Sequence, residues 1–212
     1  MRARLCGQIT VLRAWDYRWG VNSIATSLAV FWGTDIFARV ESRARALGIS
    51  PEDYIVQHAT RQELLMSLAA ASQRLTTDFG SWETPWGHIN RFQRTNDDIL
   101  PSFDDSKPSI PVPFTSSHWG SLASFGAKPY PNTRKWYGDD GNSFVAVVEF
   151  GPKVRAWAIT AGGESGNPAS PHFDDEAAQY AMGELRPVYY YKSQLQGHVE
   201  RQYHPGQESA HE

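Results

Sequence analysis

Apolar residues recur at helical spacing almost from the first residue. Leu5, Ile9, Leu12 and Trp15 lie on one face and predict a helix within residues 5–19. No cap residue precedes it, which is what a cut inside a longer protein would leave. Gly20 and Asn22 interrupt the pattern, and Ile24, Leu28 and Phe31 predict a second helix ending near Gly33. Ser50-Pro51-Glu52-Asp53 is a helix start, with serine as cap, proline in the first turn and acids at the positive end of the dipole. A longer helix follows through Leu64, Leu65, Leu68 and Leu75 and ends near Gly80.

Beyond Gly80 the periodicity fades. Pro85, Pro101, Pro108, Pro111, Pro113, Pro129 and Pro131 exclude helix interiors and central strands, so residues 81–141 read as irregular docking loops. Residues 143–150 and 153–160 then read as two strands joined at Gly151-Pro152, a predicted hairpin. Ser170-Pro171, followed by Asp174, Asp175 and Glu176, predicts another capped helix, and Pro187 to Tyr191 a short terminal strand. The resulting expectation is an α+β chain forming one partial domain over 1–212. Its helical part is 1–80, its hairpin, helix and terminal strand 142–203, and a polar, disordered tail covers 204–212.

Composition narrows the partners. A net charge of −3 and pI near 6.2 give no electrostatic case for nucleic acid or an anionic membrane. No stretch is long enough to span a bilayer, and Arg2 to Gln8 do not read as an export signal. The single cysteine, Cys6, sits among apolar neighbours and reads as a buried structural thiol. Eight Trp, nine Tyr and ten Phe, many in Pro- and Gly-rich stretches, imply loops held against a larger body by aromatic side chains.

Two segments carry a family resemblance, one running from Gly141 through Phe144, Glu149 and Phe150 to Gly151, the other from Gly162-Gly163-Glu164-Ser165-Gly166 to Asp175. Together they resemble the C-terminal region of the penicillin acylase family, which includes penicillin, cephalosporin and acyl-homoserine-lactone acylases. Leu12-Arg13-Ala14-Trp15-Asp16, Trp86-Gly87-His88-Ile89-Asn90-Arg91 and Leu185 to Tyr189 fit the same pattern in the same order, so the resemblance covers nearly the whole chain. It implies the C-terminal portion of an N-terminal-nucleophile αββα sandwich and hydrolysis of the amide bond of acylated small molecules. In such enzymes the first serine of the β chain is nucleophile and its own amino group the base; an asparagine helps hold the oxyanion.

That serine, the oxyanion asparagine and the family's calcium-binding acids have no counterpart here: they belong upstream of the segment matched by Leu12 to Asp16. The expected partners are the remainder of the β chain, the α chain and a small acyl-amide substrate, with no cofactor or metal held by this chain. Bacterial members of that family are often periplasmic, so the resemblance implies a periplasmic or extracellular setting.

Glu149 is the candidate functional residue. It closes the strand face carrying Val145 and Val147, where a carboxylate needs a partner or a solvent edge. The resemblance implies a role orienting an upstream histidine beside the nucleophile; the alternative is a strand-end carboxylate facing water. Other constellations read as scaffold. Gly162, Gly163 and Gly166 permit a tight loop, and His172 with Asp174 and Asp175 lacks a second cluster at zinc spacing. A Ser165–His172–Asp174 triad lacks the nucleophile-elbow motif. Arg91 and Arg94 read as anchors for loop carbonyls or acids. Trp82, Trp86, Trp119 and Trp136 either wall an acyl pocket or pin loops. Two rival functions stand beside the acylase reading: a self-contained, aromatic-rich binding module, and a subunit acting in trans with a separately encoded nucleophile-bearing piece.

Overall fold

Helix α1 (Cys6–Ala14) follows a short 3-10 turn, Arg2–Leu5, and no side chain caps it. The structure, a computed structural model, describes residues 2–96, 98, 102–199, 201, 202 and 204. The helix stops earlier than its apolar spacing predicts, because the backbone is already extended at Trp15. Cys6 is exposed, which corrects the expected buried thiol: the helix face turned inward carries Gln8, bonded to Ser72 Oγ at 2.9 Å, with Ile9 and Leu12.

Helix α2 (Ile24–Leu47) is capped by Ser23, whose hydroxyl accepts from the Thr26 N–H, and it runs well past the predicted stop at Gly33. Glycine inside a helix costs about 1 kcal/mol relative to alanine. Here the missing side chain admits an indole: a Cβ at Gly33 would lie 2.6 Å from the Trp119 ring. Beyond it Ile36, Val40 and Ala44 continue the buried stripe and meet Tyr54 of α3 (Pro51–Gln57). Gly33→Ala is therefore expected to destabilise the chain by about 1–3 kcal/mol despite alanine's better propensity. A lowered denaturant midpoint with an unchanged m-value would show it; a raised midpoint would mean that propensity outweighs the clash.

Helix α3 starts at Ser50-Pro51 as the sequence predicts. The longer helix behind it, α4 (Arg61–Phe79), has its own start, a capping box in which Thr60 and Glu63 exchange hydrogen bonds. Helices α2 and α4 pack side by side, and Leu28, Phe31, Leu68 and Leu75 form a core that also takes in Trp86 and Trp136.

The segment 81–141 departs from its reading as loops without regular structure. It opens with a short helix, α5 (Trp86–Ile89), and builds a four-stranded sheet of order β2-β1-β4-β3. Its strands are β1 (Asn90–Phe92), β2 (Ile110–Pro111), β3 (Phe125–Pro129) and β4 (Trp136–Gly141). The prolines were a poor guide because they occupy permitted places: Pro85 precedes α5, and Pro111 and Pro129 end their strands. The pairing is also long-range, with β1 parallel to β4. All four middle tryptophans pin this arm to the helices. Trp86 and Trp136 are buried, and Trp82 and Trp119 pack on the same cluster.

The predicted hairpin is present as β5 (Phe144–Glu149) and β6 (Arg155–Thr160), and β7 (Arg186–Val188) adds to it antiparallel, giving the order β5-β6-β7. Helix α6 (Ala177–Met182) begins later than Ser170-Pro171 predicts. Ser170 instead accepts from the His172 N–H in a local turn, and the acids from Asp174 to Glu176 fall before the helix rather than in its first turn. Mixed helices and sheets make the fold α+β. Apart from His204, the tail expected at 204–212 lies outside the described residues.

Candidate functional site

The two motif segments meet at the second sheet. Strand β6 runs into the Gly162–Asp175 loop, which returns through α6 to β7, so residues far apart in sequence converge on one buried carboxylate. Glu176 is 7% exposed, accepts the Thr160 N–H at 2.7 Å, and pairs with the Arg186 guanidinium through Nε. Arg186 also reaches Glu164 at 2.8 Å, and Glu164 accepts from the Thr160 hydroxyl at 3.0 Å. One arginine and two glutamates thus tie β6, the loop, α6 and β7 together. By its position after Ser170-Pro171, Glu176 reads only as a first-turn acid, and its ten-residue separation from Arg186 has no local periodicity that would reveal the pair.

From the other side the loop is held by Arg94, at the end of β1. Its guanidinium donates to the Phe173 carbonyl at 2.6 Å and the Ser165 carbonyl at 3.1 Å, and lies 4.1 Å from the centre of the Phe173 ring. Arg91 likewise donates to the carbonyls of Gly87, at 2.8 Å, and Ser109. Both arginines anchor loop carbonyls, as their sequence positions suggested. Gly162 and Gly163 are needed for closeness rather than for left-handed backbone: a Cβ at Gly162 would strike Arg94, and one at Gly163 the His172 carbonyl. Asn90 is fully buried and donates from Nδ2 to the carbonyls of Val112 and Phe114, both at 2.8 Å, which fixes the Pro-rich arm to β1.

The candidates for chemistry have local explanations. Ser165 Oγ accepts the Asn167 N–H at 3.1 Å, and His172 Nδ1 lies 2.8 Å from Asp175 Oδ2 rather than pairing with Asp174. Among the described residues, no three of His, Cys, Asp and Glu are grouped to hold a metal ion. Glu149 is exposed at the end of β5 and pairs across the hairpin with Arg155 at 2.8 Å. A cleft of about 220 Å³ lies between the sheets, lined by Phe92, Asp140, Asn142, Ser143 and Tyr180 among others.

Two phenols brace this region. Tyr180 donates to the Asn142 carbonyl at 3.0 Å and Tyr137 to Asp105 at 2.9 Å. Burial pushes both up to about 12, with the neighbouring Asp105 adding to the effect at Tyr137. Between the ordinary phenol value of 10.0 and 12 the unfolded chain gives up protons that the folded chain keeps. Stability is therefore unaffected by these groups below pH 10.0 and falls from there towards pH 12. Urea midpoints across this window, followed with phenolate absorbance, should fall together; Tyr137→Phe combined with Tyr180→Phe should flatten the slope.

Strand β5 is the least covered of the strands among the described residues. Phe144 is 60% exposed, Val147 54% and Val148 45%, so apolar side chains face outward on both sides of the sheet. Its outer edge is open as well. The Ala161 N–H donates to the Ser143 carbonyl, so residues 143, 145, 147 and 149 bond to β6. The N–H and C=O groups of Phe144, Ala146 and Val148 consequently point away from the sheet. The opposite edge is blunted. Trp157 turns its backbone toward β5, so its partner Pro187 faces outward on β7 and has no N–H to offer.

Helices packed on one mixed and one antiparallel sheet, around a loop clamped by Glu176, Arg186 and Arg94, define an α+β scaffold whose open strand is apolar on both faces. The chain belongs to the penicillin amidase family, whose pattern matches residues 2–197, and it is thereby of the acylase-type hydrolase class. Comparison with curated proteins finds no match. Among the described residues, no helix is long and apolar enough to cross a membrane.

Proposed function

We propose that this chain is the C-terminal part of an acylase β chain and hydrolyses acyl amides only in company with the segments that carry the serine nucleophile and the oxyanion asparagine. The observation that carries this reading is strand β5. A strand buried on both faces reads as a continuous apolar run, as Phe144 to Val148 does, whereas a strand that faces water on one side alternates. Here the run is exposed on both sides beside an open edge, so its complement is a further strand with covering layers supplied by the rest of the acylase.

The chain's own part is support. The clamp of Glu176, Arg186 and Arg94 holds the sheet that presents β5, and Glu149 stands at the strand's end. In the assembled enzyme Glu149 orients a histidine beside the nucleophile, exchanging its present partner Arg155 for that ring. The substrates are acylated small molecules of the penicillin, cephalosporin or acyl-homoserine-lactone kind. The assembly sits outside the cytoplasm, as the family resemblance implies.

The test is reconstitution. The 212-residue chain alone is expected to leave a chromogenic acyl anilide intact, and to support its hydrolysis when mixed with an acylase remainder beginning at the β-chain serine. Hydrolysis by the chain alone, abolished by a substitution within it, would overturn the proposal. So would a sharply unfolding monomer with no affinity for the remainder, which is the behaviour of a self-contained binding module.

A further inference from the structure

The helical half carries a second feature, separate from β5 and from the clamp. A groove of about 350 Å³ runs between α1 and α4, with Leu12, Trp32, Leu64 and Leu65 among its lining residues. The Trp32 ring N–H is spent on the Leu64 carbonyl at 3.1 Å, so the indole offers the groove no free donor. The volume falls in the range of small-molecule sites.

Two cations line the same groove, Arg13 near the end of α1 and Arg61 at the start of α4, and both are exposed. Neither has an ion-pair or hydrogen-bond partner among the described residues. The acids nearest them in sequence are already engaged: Asp16 lies 4.0 Å from Arg18, and Glu63 is bonded to Arg43 and Thr60. Arg61 also sits at the positive end of its helix, where a cation is disfavoured and an added anion would relieve it. Arginine favours a planar, bidentate acceptor such as carboxylate.

We propose that the α1–α4 groove binds an amphiphilic carboxylate, its aliphatic tail on Leu12, Trp32, Leu64 and Leu65 and its head between Arg13 and Arg61. Charge complementarity selects the occupant: the groove is apolar along its length and positive at its two arginines. The proposal does not rest on the acylase reading, since none of these residues belongs to the clamp or to β5.

Calorimetric titration of the full chain with decanoate, below its micellar concentration, tests it. One site per chain is expected. Octanoate should bind roughly four- to sixteen-fold more weakly, from two methylenes lost at about two- to fourfold each. Arg13→Glu combined with Arg61→Glu, both exposed positions, should weaken decanoate roughly tenfold or more. Decanol and decyltrimethylammonium should bind far less well. Absence of decanoate binding overturns the proposal, as does undiminished binding to the double variant or equal binding of decanol. A sedimentation result in which the groove is occupied by a second copy, dissociated by Leu65→Gln and untouched by decanoate, overturns it too.

Discussion

Val148→Pro is expected to leave the chain folded and to abolish its complementation of the acylase remainder. The Val148 N–H points away from β6, so proline removes no hydrogen bond of the existing ladder and sits where edge strands tolerate it. What it removes is a donor needed by an incoming strand, and its ring obstructs that approach. The loss of reconstituted hydrolysis should be at least roughly tenfold, the effect of about 1.4 kcal/mol in association. Val147→Pro is the control with the opposite signature. Its N–H belongs to the β5–β6 ladder opposite Trp157, so this variant should lower the stability of the chain itself by about 2–3 kcal/mol. Equal reconstitution by wild type and Val148→Pro would show that the outer edge of β5 is not where the missing strand adds.

Glu176→Ala should produce the largest loss of stability among substitutions in the clamp, about 3 kcal/mol. The change orphans the half-buried Thr160 N–H and strips Arg186 of its better-buried partner, leaving it only the exposed Glu164. Glu176→Gln keeps an acceptor for the Thr160 N–H and loses only the charge, so about 1–2 kcal/mol is expected. Denaturant unfolding separates the two. If alanine and glutamine cost the same, the ion pair with Arg186 dominates and the backbone bond contributes little. If neither costs anything, the clamp does not hold the loop. A chain carrying Glu176→Ala should also lose reconstitution, because β5 is presented by the sheet that this carboxylate secures.

The exposed face of β5 and the clamp behind it concern different links between structure and function. The clamp is satisfied within the chain: its carboxylates, guanidinium groups and loop carbonyls have partners at hydrogen-bonding distance. The strand is not. Apolar side chains such as Phe144 and Val147 are only about half covered where they stand, and each gains roughly 1–2 kcal/mol of further transfer free energy when fully covered. In the proposed assembly the driving force is therefore concentrated on β5, while the rigidity of the sheet that carries it is concentrated around Glu176.

Much of this was legible in the residues alone. The apolar runs on either side of Gly151-Pro152 determined the hairpin, Ser50-Pro51 determined the start of α3, and the motif segments identified the family that the match over 2–197 bears out. Each of these depends on near neighbours in sequence: a cap bonds three residues ahead, a tight turn joins the two apolar runs beside it, and a motif is contiguous. Arg91 and Arg94 also declared themselves, because cations beside Gly- and Pro-rich loops have few acceptors other than carbonyls.

What the tertiary structure decided is of longer range. Gly33 stops a helix by propensity, yet α2 continues through it because Trp119, far along the chain, fills the space above. The prolines of the middle segment argued against strands, yet β1 pairs in parallel with β4 across more than forty intervening residues, with prolines at strand ends where no ladder N–H is required. Ser170-Pro171 has the composition of a helix start, but Glu176 is drawn to Thr160 and Arg186, so the helix begins only at Ala177. Local rules set which conformations each segment can adopt at low cost. Burial of an indole, a carboxylate or a strand against partners distant in sequence then selects among them, because each such contact outweighs the difference of about 1 kcal/mol between local alternatives.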